Sequence, residues 1–201
     1  LKTQVPRPPQ TWADATFRVA AVPDELRALA DTIEDQLVRA DVLITTGGLS
    51  VGQGDTVKDV LAPLGSVRFD AVAMSPGRQL GVGTVEGTPI FCLPGDPVSA
   101  QIAFETFIRP VLRQIAGRTS LHRSSLPAAI SEGWHSPSGK REFVPVHLSG
   151  SPARGYRAEP TSPPGTVRLY GLSEANAIAV VPEDTSTVVA GDTLHCLLLD
   201  A

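Results

Sequence analysis

The residues best suited to hold an anion run from Thr45 to Asp55, Thr-Thr-Gly-Gly-Leu-Ser-Val-Gly-Gln-Gly-Asp. Glycines at 47, 48, 52 and 54 let backbone N–H groups converge where side chains would block them, and Thr46 and Ser50 add hydroxyls. Asp55 admits two readings, the N-cap of a following helix and a hard oxygen ligand that holds Mg²⁺ against phosphate oxygens. Ser75-Pro76-Gly77-Arg78 is a rigid turn displaying a guanidinium suited to phosphate, although an ordinary surface turn has the same composition. Pro94-Gly95-Asp96-Pro97 brackets Gly-Asp with two prolines, which makes a stiff corner able to position a ligand or simply to join a strand to a helix.

These loops need elements that aim them. Asp41-Val-Leu-Ile-Thr-Thr46 is a short continuous apolar run ended by Gly47-Gly48, the pattern of a strand buried in a parallel sheet. A loop leaving the carboxyl end of such a strand lies where α/β sheets bind ligands, and the next helix adds the positive end of its dipole. Upstream, Phe17 to Val22 predicts a strand, and Leu26, Leu29, Ile33 and Leu37 recur at helical spacing after Pro23 and Asp24. Downstream, Val57, Val60 and Leu61 predict a helix stopping near Gly65. A strand over 67–73 and a hairpin of 80–85 with 89–93, turning at Glu86-Gly87, follow. Asp96 and Pro97 suit the start of a helix whose core face runs from Ile102 to Ile115, kinked at Pro110 and ended by Gly117.

After Arg118 the texture changes to short alternating runs separated by Gly, Pro and Ser. Strands are expected over 128–130, 142–148, 155–159, 178–181 and 193–199. The division is therefore an irregular tail over 1–15, an α/β domain over 16–118, and an all-β domain over 119–201.

A net charge of −4 and the lack of a long Lys/Arg run exclude a basic face for nucleic acid or a membrane surface, so a small-molecule partner is expected. No apolar run reaches the roughly 20 residues of a membrane span, and the first residues lack a signal-peptide core, which predicts a cytoplasmic protein. The one methionine is Met74, so the chain is expected to be a piece whose front lies elsewhere. Cys92 and Cys196 sit inside apolar strand-like runs and read as buried thiols. His122, His135, His147 and His195 have no metal-like spacing and are assigned structural or surface roles.

The run Asp41 to Asp55, Ser75-Pro-Gly-Arg78 and Leu93-Pro-Gly-Asp-Pro-Val-Ser-Ala100, in that order, resemble the molybdopterin molybdenumtransferase family, including the gephyrin E-domain. The resemblance continues through Arg141-Glu-Phe143, Leu172-Ser-Glu-Ala-Asn176 and Ala190-Gly-Asp192, and spans roughly Phe17 to the end. It implies a three-layer, mostly parallel α/β domain of the molybdopterin-binding type followed by a small β-barrel-like domain. It also implies that adenylylated molybdopterin (molybdopterin-AMP) and molybdate yield molybdenum cofactor and AMP, in a homodimer. On the matched positions, Asp55 and Asp24 would be the catalytic acidic residues, with Asp55 the Mg²⁺ ligand. Substrate would be held by Thr46, Gly47, Gly48, Ser50, Gly52, Pro76, Gly77, Arg78, Pro94, Gly95, Asp96 and Pro97. The chain departs from the family pattern at Asp96, where the family usually has Asn, and at Ser75 and Ala71, where basic residues are usual. The Gly-Asp-Glu-Leu segment of the family is not visible. Two other readings share these features: a molybdopterin adenylyltransferase-like domain, and a non-catalytic molybdopterin-binding scaffold.

Overall fold

Alternation along one strand, Thr88–Leu93, organises the first half of the chain: Ile90 and Cys92 point to one face of a sheet, Phe91 and Leu93 to the other, and all four are buried. A strand buried on both faces must be covered by helices on both, and the computed structural model shows this arrangement. It describes residues 16–19, 21–49, 56–166 and 168–199. They group into two compact units, one within 1–72 and 79–119, the other within 73–78 and 120–201.

In the first unit the order is α1 (Leu26–Leu37), β1 (Leu43–Thr46), α2 (Thr56–Leu64) and β2 (Gly65–Ala71); β3 (Met74–Ser75) belongs to the second unit, and the chain returns with β4 (Gln79–Val85) and β5 (Thr88–Leu93). The sheet order is β1-β5-β4-β2. Among the described residues β1 and β5 are parallel, Leu43 opposite Ile90 and Thr46 opposite Leu93, while the pairings β5–β4 and β4–β2 are antiparallel. Ile33 of α1 and Val57, Val60 and Leu61 of α2 pack with Val85, Ile90 and Cys92 on one face. Leu80, Phe91 and Leu93 meet Ala100, Ala103 and Ile108 on the other. The expected hairpin closes at Glu86 and Gly87, both with positive φ (51° and 85°), as a two-residue primed turn requires.

The long helix expected from Pro97 forms in three continuous pieces: α3 (Pro97–Ala103), a π-helical turn over Phe104–Ile108, and α4 (Arg109–Ile115). Proline in a helix clashes with the carbonyl four residues back, and for Pro110 that carbonyl belongs to Thr106, inside the widened turn. The predicted kink is thus a π-turn just before the proline. Glu105 of this turn and Arg109, the first residue of α4, both buried, face each other at 3.6 Å.

The strand expected over Phe17 to Val22 is not formed by the described residues there, and Phe17 is 81% exposed. A strand needs a neighbour to satisfy its backbone groups, and no described strand pairs with this run.

The second unit is a closed barrel of β6 (Ser125–Ile130), β8 (Arg141–Ser151), β9 (Gly155–Pro160), β10 (Ala177–Val181) and β12 (Thr193–Leu198). Its strands run in the order β8-β9-β6-β12-β10, and β10 pairs back to β8, which leaves no open edge between them. The interior holds Ala128, Ile130, Val144, Val146, Ala158, Ala179 and Cys196. Small β7 (Trp134–His135) and β11 (Thr187–Val188) form a separate pair, and α5 (Leu169–Glu174) precedes β10. Asn176 stitches the junction, since its Oδ1 accepts from Leu148 N at 2.7 Å and its Nδ2 donates to Leu148 O at 3.0 Å. The side chain thereby replaces a missing ladder partner.

One buried polar contact stands out in this core. Trp134 Nε1 donates to Glu142 Oε2 at 2.9 Å, with both residues buried. Glu142→Ala leaves the indole N–H without its acceptor and is expected to cost about 1–3 kcal/mol, with Glu142→Gln less harmful because it keeps a carbonyl oxygen; urea denaturation followed by circular dichroism measures both. Burial also pushes the Cys196 thiol up to about 11 from 9.0. The folded state favours the neutral thiol, a contribution complete below pH 9.0 and lost as pH rises through about 11. Iodoacetamide at pH 8 is therefore expected to spare Cys196 in the folded chain and modify it in urea, as read by mass spectrometry.

Candidate functional site

The parallel pairing of β1 with β5 brings two of the three motifs side by side. Thr46 stands opposite Leu93, and Gly47 N donates to Leu93 O at 3.0 Å, extending the pairing one residue past the strand. The two chains then leave the sheet as loops, 47–49 and 94–96. Gly47 (φ 91°) and Gly95 approach so closely that a Cβ on Gly95 would sit 3.3 Å from Gly47 Cα. A Cβ on Gly95 would oblige the facing loop to shift by a few tenths of an ångström, whereas at Gly47 the positive φ, not the 3.9 Å spacing to Gly95 Cα, favours glycine.

Gly47 N–H is consumed by Leu93, so Gly47 contributes room to the site, not a free donor as the sequence suggested. Gly48 and Gly95 are exposed and have no backbone acceptor among the described residues, which leaves their N–H groups for a ligand. Thr46 is exposed beside them, and the neighbouring Thr45 Oγ1 is buried with no hydrogen-bond partner among the described residues. Thr45 lay inside the motif but was not singled out, since its burial depends on the sheet around it.

Asp96 is the N-cap of α3, its Oδ1 accepting from Ser99 N at 2.8 Å, with Pro97 in the first turn as expected. The cap changes the electrostatics of this departure from the family pattern. Its carboxylate charge sits at the positive end of a helix and spends one oxygen on the backbone, which reduces its repulsion of a bound anion. Pro94 is half-buried and Gly95 and Asp96 are exposed.

The remaining predicted residues are distributed differently. Ser75, Pro76, Gly77 and Arg78 belong to the second unit, where Met74 and Ser75 of β3 pair in parallel with Arg141 and Glu142 of β8. The Ser75–Pro76 peptide is cis, Gly77 has φ 88°, and Arg78 is exposed with no side-chain partner among the described residues. Asp24 is exposed, two residues before α1. Ser50, Gly52 and Asp55 lie outside the described residues, although α2 begins at Thr56, directly after Asp55. Among the described residues no group of three or more His, Cys, Asp or Glu side chains converges as a metal site, and the one carboxylate described at the loops, Asp96, is engaged as a cap. The described donor set thus does not by itself make a Mg²⁺ site. The four histidines are all exposed. No helix among the described residues is long and apolar enough to cross a membrane.

Residues 15–114 match the family described as "Probable molybdopterin binding domain", and residues 127–199 match "MoeA C-terminal region (domain IV)". The chain is 37% identical over 190 residues to molybdopterin molybdenumtransferase 2 of Mycobacterium tuberculosis strain H37Rv, covering 90% of this chain and 45% of that protein. It is 28% identical to gephyrin of Dictyostelium discoideum, covering 90% of this chain and 28% of that protein. The chain spans less than half the length of these curated relatives. The crystal structure of a molybdopterin biosynthesis MoeA protein from Pyrococcus horikoshii superposes with TM-score 0.73 at 25% identity, over 88% of this chain and 42% of that one.

The close fit of the glycine loop makes a direct prediction. An Ala Cβ at Gly48 (φ 70°) would lie 2.5 Å from Val57 Cγ2, whose side chain is buried on α2. Gly48→Ala is expected to cost about 1–3 kcal/mol by backbone strain and overpacking together. Gly87→Ala, also at positive φ but with nothing within 4 Å, should cost only the backbone component of about 1 kcal/mol. Thermal unfolding of the two variants measures the difference.

Proposed function

Since the chain belongs to the molybdopterin molybdenumtransferase family, we propose that it supplies the molybdopterin-binding part of an enzyme that transfers molybdate into molybdopterin-AMP, forming molybdenum cofactor and releasing AMP. The observation that carries this reading is the meeting of Gly47–Gly48 with Gly95–Asp96 at the carboxyl ends of two parallel strands. Exposed N–H groups of Gly48 and Gly95 would receive anionic oxygens of the substrate, and Thr46 would add a hydroxyl. Pro94 and Pro97 stiffen the second loop, so little ordering entropy is lost on binding. Asp96 would hold the start of α3 in place and thereby direct the helix dipole at the ligand.

In the same proposal Ser50 and Gly52 extend the anion cradle, Arg78 neutralises substrate charge, and Asp24 and Asp55 act as the acidic residues, with Asp55 binding Mg²⁺. A bound Mg²⁺ would supply charge neutralisation at phosphate oxygens. The working assembly would be a homodimer. The sulfur ligands for molybdenum come from molybdopterin itself, which agrees with the burial of both cysteines.

Calorimetric titration of molybdopterin-AMP, in the presence of Mg²⁺ and molybdate, tests the reading. The chain is expected to bind, and Asp55→Ala to weaken binding about tenfold or more, the scale of a lost charge-assisted contact. Absence of binding, or binding indifferent to Asp55→Ala, would remove the substrate site proposed here. Binding without AMP release by the full-length protein would favour the scaffold reading.

A further inference from the structure

The barrel carries a second concave surface, of about 470 Å³, with no carboxylate in its lining. It forms where the end of β6 meets two turns. One turn joins β8 to β9 through Arg154 and Gly155, Arg154 N donating to Ser151 O at 3.1 Å. The other joins β11 to β12 through Ala190 and Gly191 and is pinned by Asp192, whose Oδ2 accepts from Val189 N at 2.8 Å. The end of β6 ties the two together: Ser131 N donates to Ala158 O at 3.0 Å, and Gly191 N to Ile130 O at 2.9 Å. The walls are therefore backbone fixed by hydrogen bonds, not loose side chains.

The donors facing this space are unspent. Arg157 stands directly opposite Ala129 in the β6–β9 pairing, and the small alanine leaves the guanidinium's side of the sheet open. Neither Arg154 nor Arg157 has an ion-pair or hydrogen-bond partner for its guanidinium among the described residues. Ser131 also lines this space, with its hydroxyl oxygen buried and out of a ligand's reach. Tyr156, whose ring packs partly against the barrel core, supplies a firm apolar wall between the two arginines in sequence. Two guanidiniums without a partner among the described residues, lining a space with no carboxylate, suit an anionic ligand.

We propose that this barrel face binds the phosphate group of a small molecule, with Arg154 and Arg157 pairing with its oxygens. The site belongs to the second unit and the loops at the ends of β1 and β5 to the first, and its proposal does not depend on the reaction proposed above.

Titration of inorganic pyrophosphate into the ¹⁵N-labelled chain, followed by amide chemical shifts, tests this. Saturable shifts are expected at Ser131, Gly155 and Gly191. Arg154→Ala and Arg157→Ala should each weaken that binding about tenfold, and Arg27→Ala, a cation on α1, should leave it unchanged. Sulfate at equal ionic strength separates phosphate recognition from general charge. Shifts that fail to saturate, or that respond to Arg27→Ala as strongly as to Arg157→Ala, would overturn the proposal. Shifts at Gly48 and Gly95 report the other loops independently, so either site can fail without the other.

Discussion

The close approach of Gly47 to Gly95 constrains everything around the candidate site. Two backbone segments leave parallel strands side by side, so close that a Cβ on Gly95 would sit 3.3 Å from Gly47 Cα. That approach depends on β1 and β5 keeping register, which the bond from Gly47 N to Leu93 O carries past the strand ends. Register in turn depends on burial on both faces, because Ile90 and Cys92 fill one core and Phe91 and Leu93 the other. A slip of one residue would exchange the two faces and separate the glycines. Packing far below the loops therefore sets their geometry.

The barrel solves a different problem. Its strands are short, and closure through the β10–β8 pairing satisfies edges that an open sheet of this size would expose. Strand β8, eleven residues long, does the most: it pairs with β9 and β10, and its first residues also receive β3. Each residue of the family-like segment Arg141-Glu-Phe143 thus has a structural task here. Arg141 and Glu142 hold Met74 and Ser75 in register, Glu142 accepts from the Trp134 indole, and Phe143 is buried. The turn that presents Arg78 is consequently anchored by the barrel, not by the sheet whose strands precede and follow it.

Much of this was legible in the residues, and what was not has identifiable causes. The helical spacing of Leu26, Leu29, Ile33 and Leu37 located α1, and Glu86-Gly87 marked the hairpin, because local propensity and tertiary packing agree there. The five barrel strands were each placed from alternation. Strands β3, β7 and β11 were missed because two residues carry no period, and they exist only through pairing with a distant segment. Helix α5 was missed for a related reason, since its Leu169 and Tyr170 are exposed and give no buried stripe. The run from Phe17 to Val22 erred in the opposite direction, having strand composition without a strand beside it.

At the site, residue type identified the loops but not which of their groups are free. Gly47 and Gly48 are indistinguishable in sequence, yet one N–H is tied to Leu93 and the other is open. Asp96 illustrates the same point for charge. Read alone, a carboxylate where the family usually has an amide predicts repulsion of an anionic ligand. Seated as the N-cap of α3, it accepts from Ser99 N and faces the positive end of the helix. Asn and Asp both cap well, so the exchange preserves the local fold while altering only the residual charge beside the loops. The consequence for a ligand then depends on how much of that charge the helix compensates, a quantity set by position along the dipole and invisible in the order of residues.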